Sequence, residues 1–571
     1  MRHIAAGRID QRMNGIRGAE SVMLRGFCNA GLFMSLWNNG HSEVTAHNDE
    51  AASPVSLSPS SLPLAGESGV VSFRVFYING LALLAGALCV FGFAPFGVYP
   101  VPVLALAVLF ALWGSAGTTR AAAGLGFSFG LGLFAAGISW IYVALHDFGG
   151  MPAWLAGPGT FLFAAFLALF PALAGYIQAR LPHRQPLMHL ILVMPACWVL
   201  IEWLRGMIFT GFPWLTLGYA HSGSPLAGYA PLLGVYGVSL VAAVCAGLLA
   251  VLWRERWSQR GQLALAAFVV LWAAGWLLRG VAWTHPQGLP FTVSLLQGNI
   301  GQDTKFKEES LSDTLDIYRR LVMQNPAKLT VLPETALPMM EDEIPQSLID
   351  ELRDNARQNG GDVLIGAFER DRGGYYNSVF TLGVSENAFV AAQHYRKHHL
   401  VIFGEYIPLR PVFGWLINEV LHIPMGDLAR GDLRQAPLIV AGQRVAVNIC
   451  YEDVFGEEII SALPQASLLV NMTNDAWYGD SNAAAQHNQM SQLRALETGR
   501  MMLRATNTGV TSIIGVNGKI LQQLPQHRQG VLQGMAQGYD GTTPYVMWGN
   551  AAVLSLIALM LSGALWRGRK P

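Results

Sequence analysis

The sequence predicts a multi-span α-helical membrane domain followed by an α/β domain outside the cytoplasm. Two observations indicate this fold class. Of the 571 residues, 52% are hydrophobic and only 13% are charged, a composition typical of membrane proteins. The charges are also unevenly spread, because residues 75–253 contain six of them whereas residues 302–320 alone contain nine. The chain therefore changes its environment near residue 285.

Seven candidate spans lie in the apolar region, each near the roughly 20 residues that a helix needs to cross a bilayer. Pro and Gly interrupt the first long uncharged run near residue 95, so the count depends on a break there. The seven spans are predicted at 76–95, 100–117, 121–144, 155–179, 187–208, 229–252 and 262–282. An eighth apolar stretch follows much later in the chain.

These spans divide the chain into five parts. A seven-helix membrane domain is predicted over 75–284 and an outward domain over 286–541. The eighth helix at 545–566 and a basic cytoplasmic tail at 567–571 follow. Residues 1–70 are rich in Ser, Gly, Asn and Pro and lack apolar periodicity, so we expect a disordered tail or an overlong gene start there.

Basic residues predict which way the chain crosses the membrane, because cytoplasmic loops hold an excess of Lys and Arg. Three even-numbered loops contain such residues, at Arg120, Arg180 and Arg254. We therefore expect the inner membrane of a bacterium, both termini in the cytoplasm, and the outward domain on the periplasmic face. The equal totals of 37 basic and 37 acidic residues argue against a nucleic-acid partner.

Short β-rich runs alternate with helical stretches in the outward domain, which predicts an α/β fold with helices covering the sheets. Helices are predicted at 309–324, 345–359 and 484–504. The predicted strands are 291–296, 329–332, 362–366, 379–382, 445–449, 468–472 and 511–514. Functional sites in such folds lie at the carboxyl ends of strands.

Three residues that follow β-rich runs together suit acyl transfer. Glu334 follows the predicted strand 329–332, Cys450 follows 445–449, and Lys397 follows a shorter β-rich run. A carboxylate can accept the thiol proton, the thiolate can attack a carbonyl carbon, and an ammonium can stabilise the oxyanion. Each residue alone also fits an ordinary role, Cys450 as a small buried side chain and the other two as solvated charges.

The sequences around these residues are more specific than their spacing. Glu334 lies in Leu-Pro-Glu-Thr, Lys397 in Tyr-Arg-Lys-His-His-Leu, and Cys450 in Asn-Ile-Cys-Tyr-Glu-Asp. In this order they resemble the nitrilase, or carbon–nitrogen hydrolase, superfamily. The spans around such a domain, with Gly211-Phe-Pro-Trp-Leu215 and Asn474-Asp-Ala-Trp-Tyr-Gly479, resemble the bacterial apolipoprotein N-acyltransferase family.

The resemblance implies an α-β-β-α sandwich and a catalytic set in which Glu334 is the base, Lys397 the electrostatic stabiliser and Cys450 the nucleophile. It further implies that Cys450 takes an acyl chain from a phospholipid as a thioester. The chain would then pass to the α-amino group of the N-terminal diacylglyceryl-cysteine of an apolipoprotein. No cofactor and no metal are expected, since the pair His398 and His399 lacks convergent ligands.

Further residues are expected to support this chemistry. The resemblance implies supporting or substrate-binding roles for Glu405, Tyr451, Glu452, Asn377 and Trp477. The backbone N–H of Tyr451 follows the strand before Cys450 and is a candidate second oxyanion donor. In the fifth span, Glu202 and Arg205 lie three residues apart and are expected to pair with each other or to bind a phospholipid headgroup.

Two more positions concern contact with lipid. Phe306 lies in Gln302-Asp-Thr-Lys-Phe306, where the family often has Trp, and it keeps an apolar ring without the indole N–H. Trp415 lies in the apolar stretch 411–425. We expect this stretch to be either a lid that dips into the outer leaflet beside the site or a helix packed on the protein's own core.

Two alternatives remain open from the sequence. With water resolving the thioester, the chain would be a membrane-tethered nitrilase-type amidase acting on a small C–N substrate, although one span would suffice as a tether. A transporter or receptor would leave the three catalytic candidates as coincidences, and charge within the spans is too sparse for an obvious ion pathway. We therefore expect a phospholipid acyl donor, a diacylated apolipoprotein acceptor and the lipid bilayer as partners.

Overall fold

The protein is described here from a computed structural model. The structure describes residues 67–182, 185–386, 392–402, 404–407 and 427–569, with side chains between 74 and 566. Most of the predicted tail at 1–70 lies outside the described residues, and so do Trp415 and its segment 411–425.

Apolar helices precede the first strand, and several begin at residues that favour helix starts. Thr118 Oγ1 accepts a hydrogen bond from the backbone N–H of Ala121, and Ser258 Oγ accepts one from Gly261. These two residues precede the helices α3 and α7. The longer helices are α1 Glu67–Leu88, α2 Pro100–Gly114, α3 Thr119–Gly137, α4 Ala153–Arg180, α5 Met194–Arg205, α6 Ala230–Glu255 and α7 Gln259–Leu278.

Helices α3 and α4 pack closely because small residues lie at their contact. A Cβ atom at Gly126 would lie 2.2 Å from the carbonyl oxygen of Pro171, and one at Gly130 would lie 2.9 Å from Cα of Ala168. Lipid tails are as apolar as the helices, so helix association in a bilayer relies on such close backbone approach. Glycine at these two positions therefore sets the distance between the two helices.

The strands of the described chain form two six-stranded sheets, ordered β12-β1-β2-β3-β4-β5 and β11-β10-β9-β8-β7-β6. They are β1 Thr284–Gln297, β2 Leu329–Val331, β3 Asp362–Asp371, β4 Gly374–Gly383, β5 His394–Arg396, β6 Leu438–Val440, β7 Gln443–Ile449, β8 Leu468–Thr473, β9 Met502–Thr506, β10 Ser512–Ile514, β11 Ile520–Gln523 and β12 Gly530–Gly541. Strands β1 to β3 run parallel, as do β7 to β9, and the other neighbours pair antiparallel. The carboxyl ends of the parallel strands therefore meet at common edges.

The two sheets pack face to face with helices on the outside, which confirms the predicted α-β-β-α sandwich. Alternation along each strand produces the layers, because Leu295 of β1 shares a hydrophobic core with Val470 of β8 whereas Leu296 faces the other way. Leu296 packs with residues of two helices, and Leu469 of β8 packs with Ala495 of a third. These helices are α8 Glu308–Gln324, α9 Gln346–Gln358 and α10 Ala483–Thr498.

Some element boundaries differ from the prediction. The helix predicted over 484–504 ends at Thr498, because Gly499 adopts a left-handed conformation with φ of 63° and terminates it. The last residues of that range belong to β9 instead. The helix predicted from residue 545 is broken at Gly549, with φ of 55°, and α1 begins at Glu67, inside the segment predicted as a tail.

Helices long and apolar enough to cross a membrane number five within the described ranges. They are Arg74–Gly92, Ala153–Arg180, Pro186–Arg205, Pro225–Glu255 and Gln259–Leu278. The helix pair Thr119–Gly137 and Trp140–Phe148, bent by 52°, would make a sixth span. Pro100–Gly114 is apolar but shorter, and so is Ala551–Trp566, the apolar part of the C-terminal helix α11 Ala551–Arg569. Helices thus occur at all eight predicted positions, and the number of crossings stays a prediction.

We expect Gly126→Leu to destabilise the protein by at least about 2 kcal/mol, because the new side chain meets backbone that has no room to move. Thermal unfolding in detergent measures this change. Gly124→Leu on the same helix is the control, since a Cβ atom there would meet only Asn79 Oδ1, at 3.8 Å. Equal melting temperatures for the two variants would contradict the close packing of α3 on α4.

Candidate active site

The strand ends bring the three predicted catalytic residues together. Glu334 follows β2, Lys397 directly follows β5, and Cys450 directly follows β7. Lys397 Nζ lies 3.2 Å from Glu334 Oε1, and the charges of both residues act on the Cys450 thiol. All three side chains are buried. Residues far apart in sequence and from both sheets therefore form one cluster.

Glu334 is stabilised as a carboxylate by several donors. Oε1 accepts hydrogen bonds from Asn377 Nδ2 at 2.8 Å and from Lys397 Nζ, and Oε2 accepts one from the backbone N–H of Asn474 at 2.8 Å. Burial raises the pKa of Glu334, but the ammonium groups of Lys397 and Lys305 outweigh it and bring the pKa below its ordinary value. Glu334 is therefore ionised at neutral pH and able to accept a proton.

Lys397 lies between two carboxylates. Its Nζ donates to Glu405 Oε1 at 2.8 Å as well as to Glu334, and Asn377 Nδ2 also donates to Glu405 Oε1, at 3.2 Å. The backbone N–H of Val401 donates to Glu405 Oε2 at 2.9 Å and fixes that side chain. Burial disfavours the ammonium, but Glu334 and Glu405 raise the pKa of Lys397 well above its usual value. Lys397 is thus a constant cation, suited to stabilising an oxyanion.

Cys450 lies on a strained turn. Its φ of 53° falls in the left-handed region, which costs about 1–3 kcal/mol for a residue with a Cβ atom and is common at functional sites. Asn471 Nδ2 donates to the carbonyl oxygen of Cys450 at 3.1 Å. Burial and the negative charge of Glu334 raise the pKa of the thiol, while Lys397 acts in the opposite direction. The resting sulfur is therefore a neutral thiol that needs a base.

Glu452 connects the residues after Lys397 to the turn Cys450–Val454, which we call the nucleophile turn. Its Oε1 accepts hydrogen bonds at 2.7 and 3.0 Å from the backbone N–H groups of the two residues after Lys397. Its Oε2 accepts one at 2.6 Å from the backbone N–H of the residue before Cys450, and another at 2.9 Å from the hydroxyl of Tyr395. One buried carboxylate thus satisfies four donors and fixes Lys397 relative to Cys450.

The apolar half of the chain also contacts the nucleophile turn. The hydroxyl of Tyr451 donates to the carbonyl oxygen of Gly211 at 3.2 Å, and the hydroxyl of Tyr219 donates to the carbonyl oxygen of Val454 at 2.9 Å. Gly211 and Tyr219 both lie in the loop after α5. The position of Cys450 therefore depends on residues from both halves of the chain.

Glu202 and Arg205 hold this loop from the end of α5. Glu202 Oε1 accepts a hydrogen bond from the backbone N–H of Leu217 at 2.9 Å. Arg205 donates to the carbonyl oxygens of Phe212 and Trp214. Both side chains bind the backbone of the loop and no hydrogen bond joins them, so the expected Glu202–Arg205 pair is limited to attraction between two neighbouring buried charges. These contacts give both residues a role in positioning the loop that the nucleophile turn contacts.

Two predicted substrate contacts are partly exposed aromatic side chains. Phe306 is 54% exposed and packs near Phe368, with ring centroids 6.4 Å apart, and Trp477 is 42% exposed. Phe306 follows Lys305 directly, and Trp477 lies three residues after Asn474, so both are close in sequence to residues that contact Glu334. Exposed rings beside a polar site suit an apolar substrate.

Lys305, Thr335 and Asn474 also belong to the cluster around Glu334, although they were not among the predicted site residues. Lys305 Nζ donates to the carbonyl oxygen of Glu334 at 3.1 Å and to Thr335 Oγ1 at 2.6 Å. The sequence did contain a signal, because Lys305 lies in the same short motif as Phe306. Within the described part of the chain, no group of three or more His, Cys, Asp or Glu side chains is arranged to hold a metal ion.

Comparison with known proteins identifies the family. The model of the apolipoprotein N-acyltransferase N-terminal domain matches residues 85–248, and that of carbon–nitrogen hydrolase matches 292–538. The apolipoprotein N-acyltransferase of Nitrosomonas europaea is 52% identical over 499 residues, which cover 86% of this chain and 98% of that protein. This chain belongs to the apolipoprotein N-acyltransferase family.

Other matches include the apolipoprotein N-acyltransferase of Ralstonia nicotianae, 46% identical over 87% of this chain and 95% of that protein. The match to a solved carbon–nitrogen hydrolase from Helicobacter pylori covers 46% of this chain and 95% of that protein, with 17% identity and a TM-score of 0.31. Membership of the apolipoprotein N-acyltransferase family makes this chain a membrane protein and an acyltransferase. It favours acyl transfer over the amidase alternative. It also argues against a transporter or receptor without enzymatic activity.

We expect Glu452→Gln to lower the acyltransferase activity by about 10- to 100-fold, because an amide –NH₂ group would face buried N–H donors and leave them unsatisfied. Turnover of the purified protein, with its melting temperature, measures this effect. Glu458→Gln is the control, because Glu458 is more exposed and its bond to His399 Nδ1 survives the change. Normal activity of Glu452→Gln would contradict the connecting role of this carboxylate.

Proposed function

We propose that Glu334, Lys397 and Cys450 form the catalytic triad of a phospholipid:apolipoprotein N-acyltransferase that works through a thioester on Cys450. The protonation states of the three groups support this proposal most strongly. An ionised carboxylate, a constant cation and a neutral thiol lie together at the strand ends. Such a set supplies a base, an oxyanion stabiliser and a nucleophile for thiol attack on an ester.

In the first half-reaction, Cys450 Sγ attacks the carbonyl carbon of a phospholipid ester while Glu334 accepts the thiol proton. The negative charge on the carbonyl oxygen is stabilised by Lys397 and by the backbone N–H of Tyr451. The ester C–O bond then breaks, and the proton on Glu334 passes to the departing alkoxide oxygen. A lysophospholipid leaves, and the acyl chain remains on Cys450 as a thioester.

In the second half-reaction, the α-amino group of an N-terminal diacylglyceryl-cysteine attacks the thioester carbon. Glu334 accepts the proton that the amine loses, the C–S bond breaks, and the proton returns to the Cys450 sulfur. The product is an amide on the apolipoprotein. Glu405 and Asn377 support both steps, because Glu405 keeps Lys397 charged and Asn377 holds the two carboxylates in place.

Both proposed substrates keep acyl chains in a bilayer, so the site has to face lipid. The exposed rings of Phe306 and Trp477 support such contact. We place the catalytic half on the periplasmic face of a bacterial inner membrane with both termini in the cytoplasm. The basic residues in even-numbered loops support this orientation, as does the position of the catalytic half between α7 and α11.

Intact-protein mass spectrometry after incubation with phospholipid tests the thioester. We expect the mass of one acyl chain on the wild type, removed by hydroxylamine and missing from Cys450→Ala. Cys245→Ala is the control, because Cys245 is a buried thiol of α6 far along the chain from the triad. An acyl adduct that persists in Cys450→Ala would exclude Cys450 as the nucleophile.

Addition of a diacylglyceryl-cysteine peptide to the acylated enzyme distinguishes the transferase from the amidase. The transferase moves the acyl mass from the protein to the peptide within one turnover. An amidase would lose the acyl mass to water at the same rate with and without the peptide.

A further inference from the structure

We propose that Lys305 is a positioning residue for the general base of this enzyme. Its buried ammonium holds the turn that presents Glu334 and supplies a second positive charge to the active site. This inference rests on the proposed role of Glu334 and goes beyond it, since Lys305 belongs to neither the triad nor the expected supporting residues.

The first support is the geometry of the turn after β2. Thr335 adopts a φ of 44°, in the left-handed region that β-branched residues rarely occupy. Lys305 Nζ donates to the carbonyl oxygen of Glu334 and to Thr335 Oγ1, one on each side of the peptide bond that joins them. The side chain of Lys305 is only 2% exposed, so water has little access to replace these bonds. Lys305 therefore stabilises the strained turn directly.

The second support is the balance of buried charge. Lys397 is shared by Glu334 and Glu405, so one ammonium faces two carboxylates. Lys305 adds the positive charge that balances the second carboxylate. Burial lowers the pKa of Lys305 to about 8, against the opposing effect of Glu334, so it is still a cation at neutral pH. The titratable groups around Glu334 are Lys397, Lys305, Glu405, Cys450 and Tyr478.

The third support is the segment on which Lys305 lies. Gln302 Oε1 accepts a hydrogen bond from Asn474 Nδ2 at 2.8 Å, and the backbone N–H of Asn474 donates to Glu334 Oε2. The same segment ends in the exposed ring of Phe306. One short segment thus reaches Glu334 by two routes, directly through Lys305 and through Gln302 and Asn474, and also carries an exposed ring. Its displacement would move Glu334.

The test is the pH dependence of acyl-enzyme formation in a single turnover, followed by intact mass. Without Lys305, the ionised form of Glu334 loses a stabilising charge, so its pKa rises and the base becomes protonated at higher pH. We expect Lys305→Met to form the thioester about 10- to 100-fold more slowly. We also expect it to shift the acid limb of the pH–rate profile, where Glu334 becomes protonated, upward by about one pH unit. Lys305→Arg keeps the charge and should keep the acid limb of the wild type.

Two further variants separate charge from structure. Lys307→Met, an exposed lysine of the same segment, should behave as the wild type. Thr335→Val removes one acceptor of Lys305 but no charge, so it should slow acylation without shifting the acid limb. This variant and Lys305→Arg keep the inference testable if Lys305→Met fails to fold.

An acid limb in folded Lys305→Met that equals that of the wild type would overturn the inference, and so would normal acylation by Thr335→Val. A shifted limb in Lys305→Arg would also overturn it, because the charge is retained there. Failure of the proposed function looks different, since the wild type itself would then form no hydroxylamine-labile adduct.

Discussion

Mutual neutralisation of buried charges is the constraint on which the active site depends. An isolated ion in the protein interior costs several kcal/mol, so a buried carboxylate without a partner would take up a proton. Glu334 stays ionised because Lys397 and Lys305 lie beside it, and Lys397 stays ionised because it lies between Glu334 and Glu405. Each group owes its charge to its neighbours. The site is therefore a single electrostatic unit rather than three separately tuned residues.

The apolar half of the chain contributes to this unit and does more than anchor it. Polar side chains among apolar helices are costly and rare, and here Glu202 and Arg205 use their hydrogen bonds on the loop that contacts Tyr451. The nucleophile turn thus has one support within its own sheet and another in the apolar half. A simple tether would need no such contacts, which agrees with an enzyme whose substrates reside in lipid.

The sequence predicted the parts of the fold and site that depend on local pattern. The β-rich runs before Glu334 and Cys450 are buried strands, and the motifs around them contain the residues of the proposed triad. It did not predict the role of Lys305, because the motif shared with Phe306 marks the segment but not the distant turn that the lysine side chain reaches. Strand β12 was missed because glycine and polar side chains occupy most of its positions and hide the alternation of buried and exposed residues. Strand β9 was missed because Gly499 ends helix α10 earlier than the apolar residues of that region suggest.

The neutral state of the Cys450 thiol affects more than the first chemical step. Peroxides and disulfides react with thiolates, and reactive cysteines are those with depressed pKa values and open access. Cys450 has neither property, because burial and Glu334 keep its proton in place. In the proposed mechanism, its sulfur becomes a nucleophile only when an ester carbonyl reaches it and Glu334 accepts the proton. We expect the same arrangement to protect the resting thiol from oxidants.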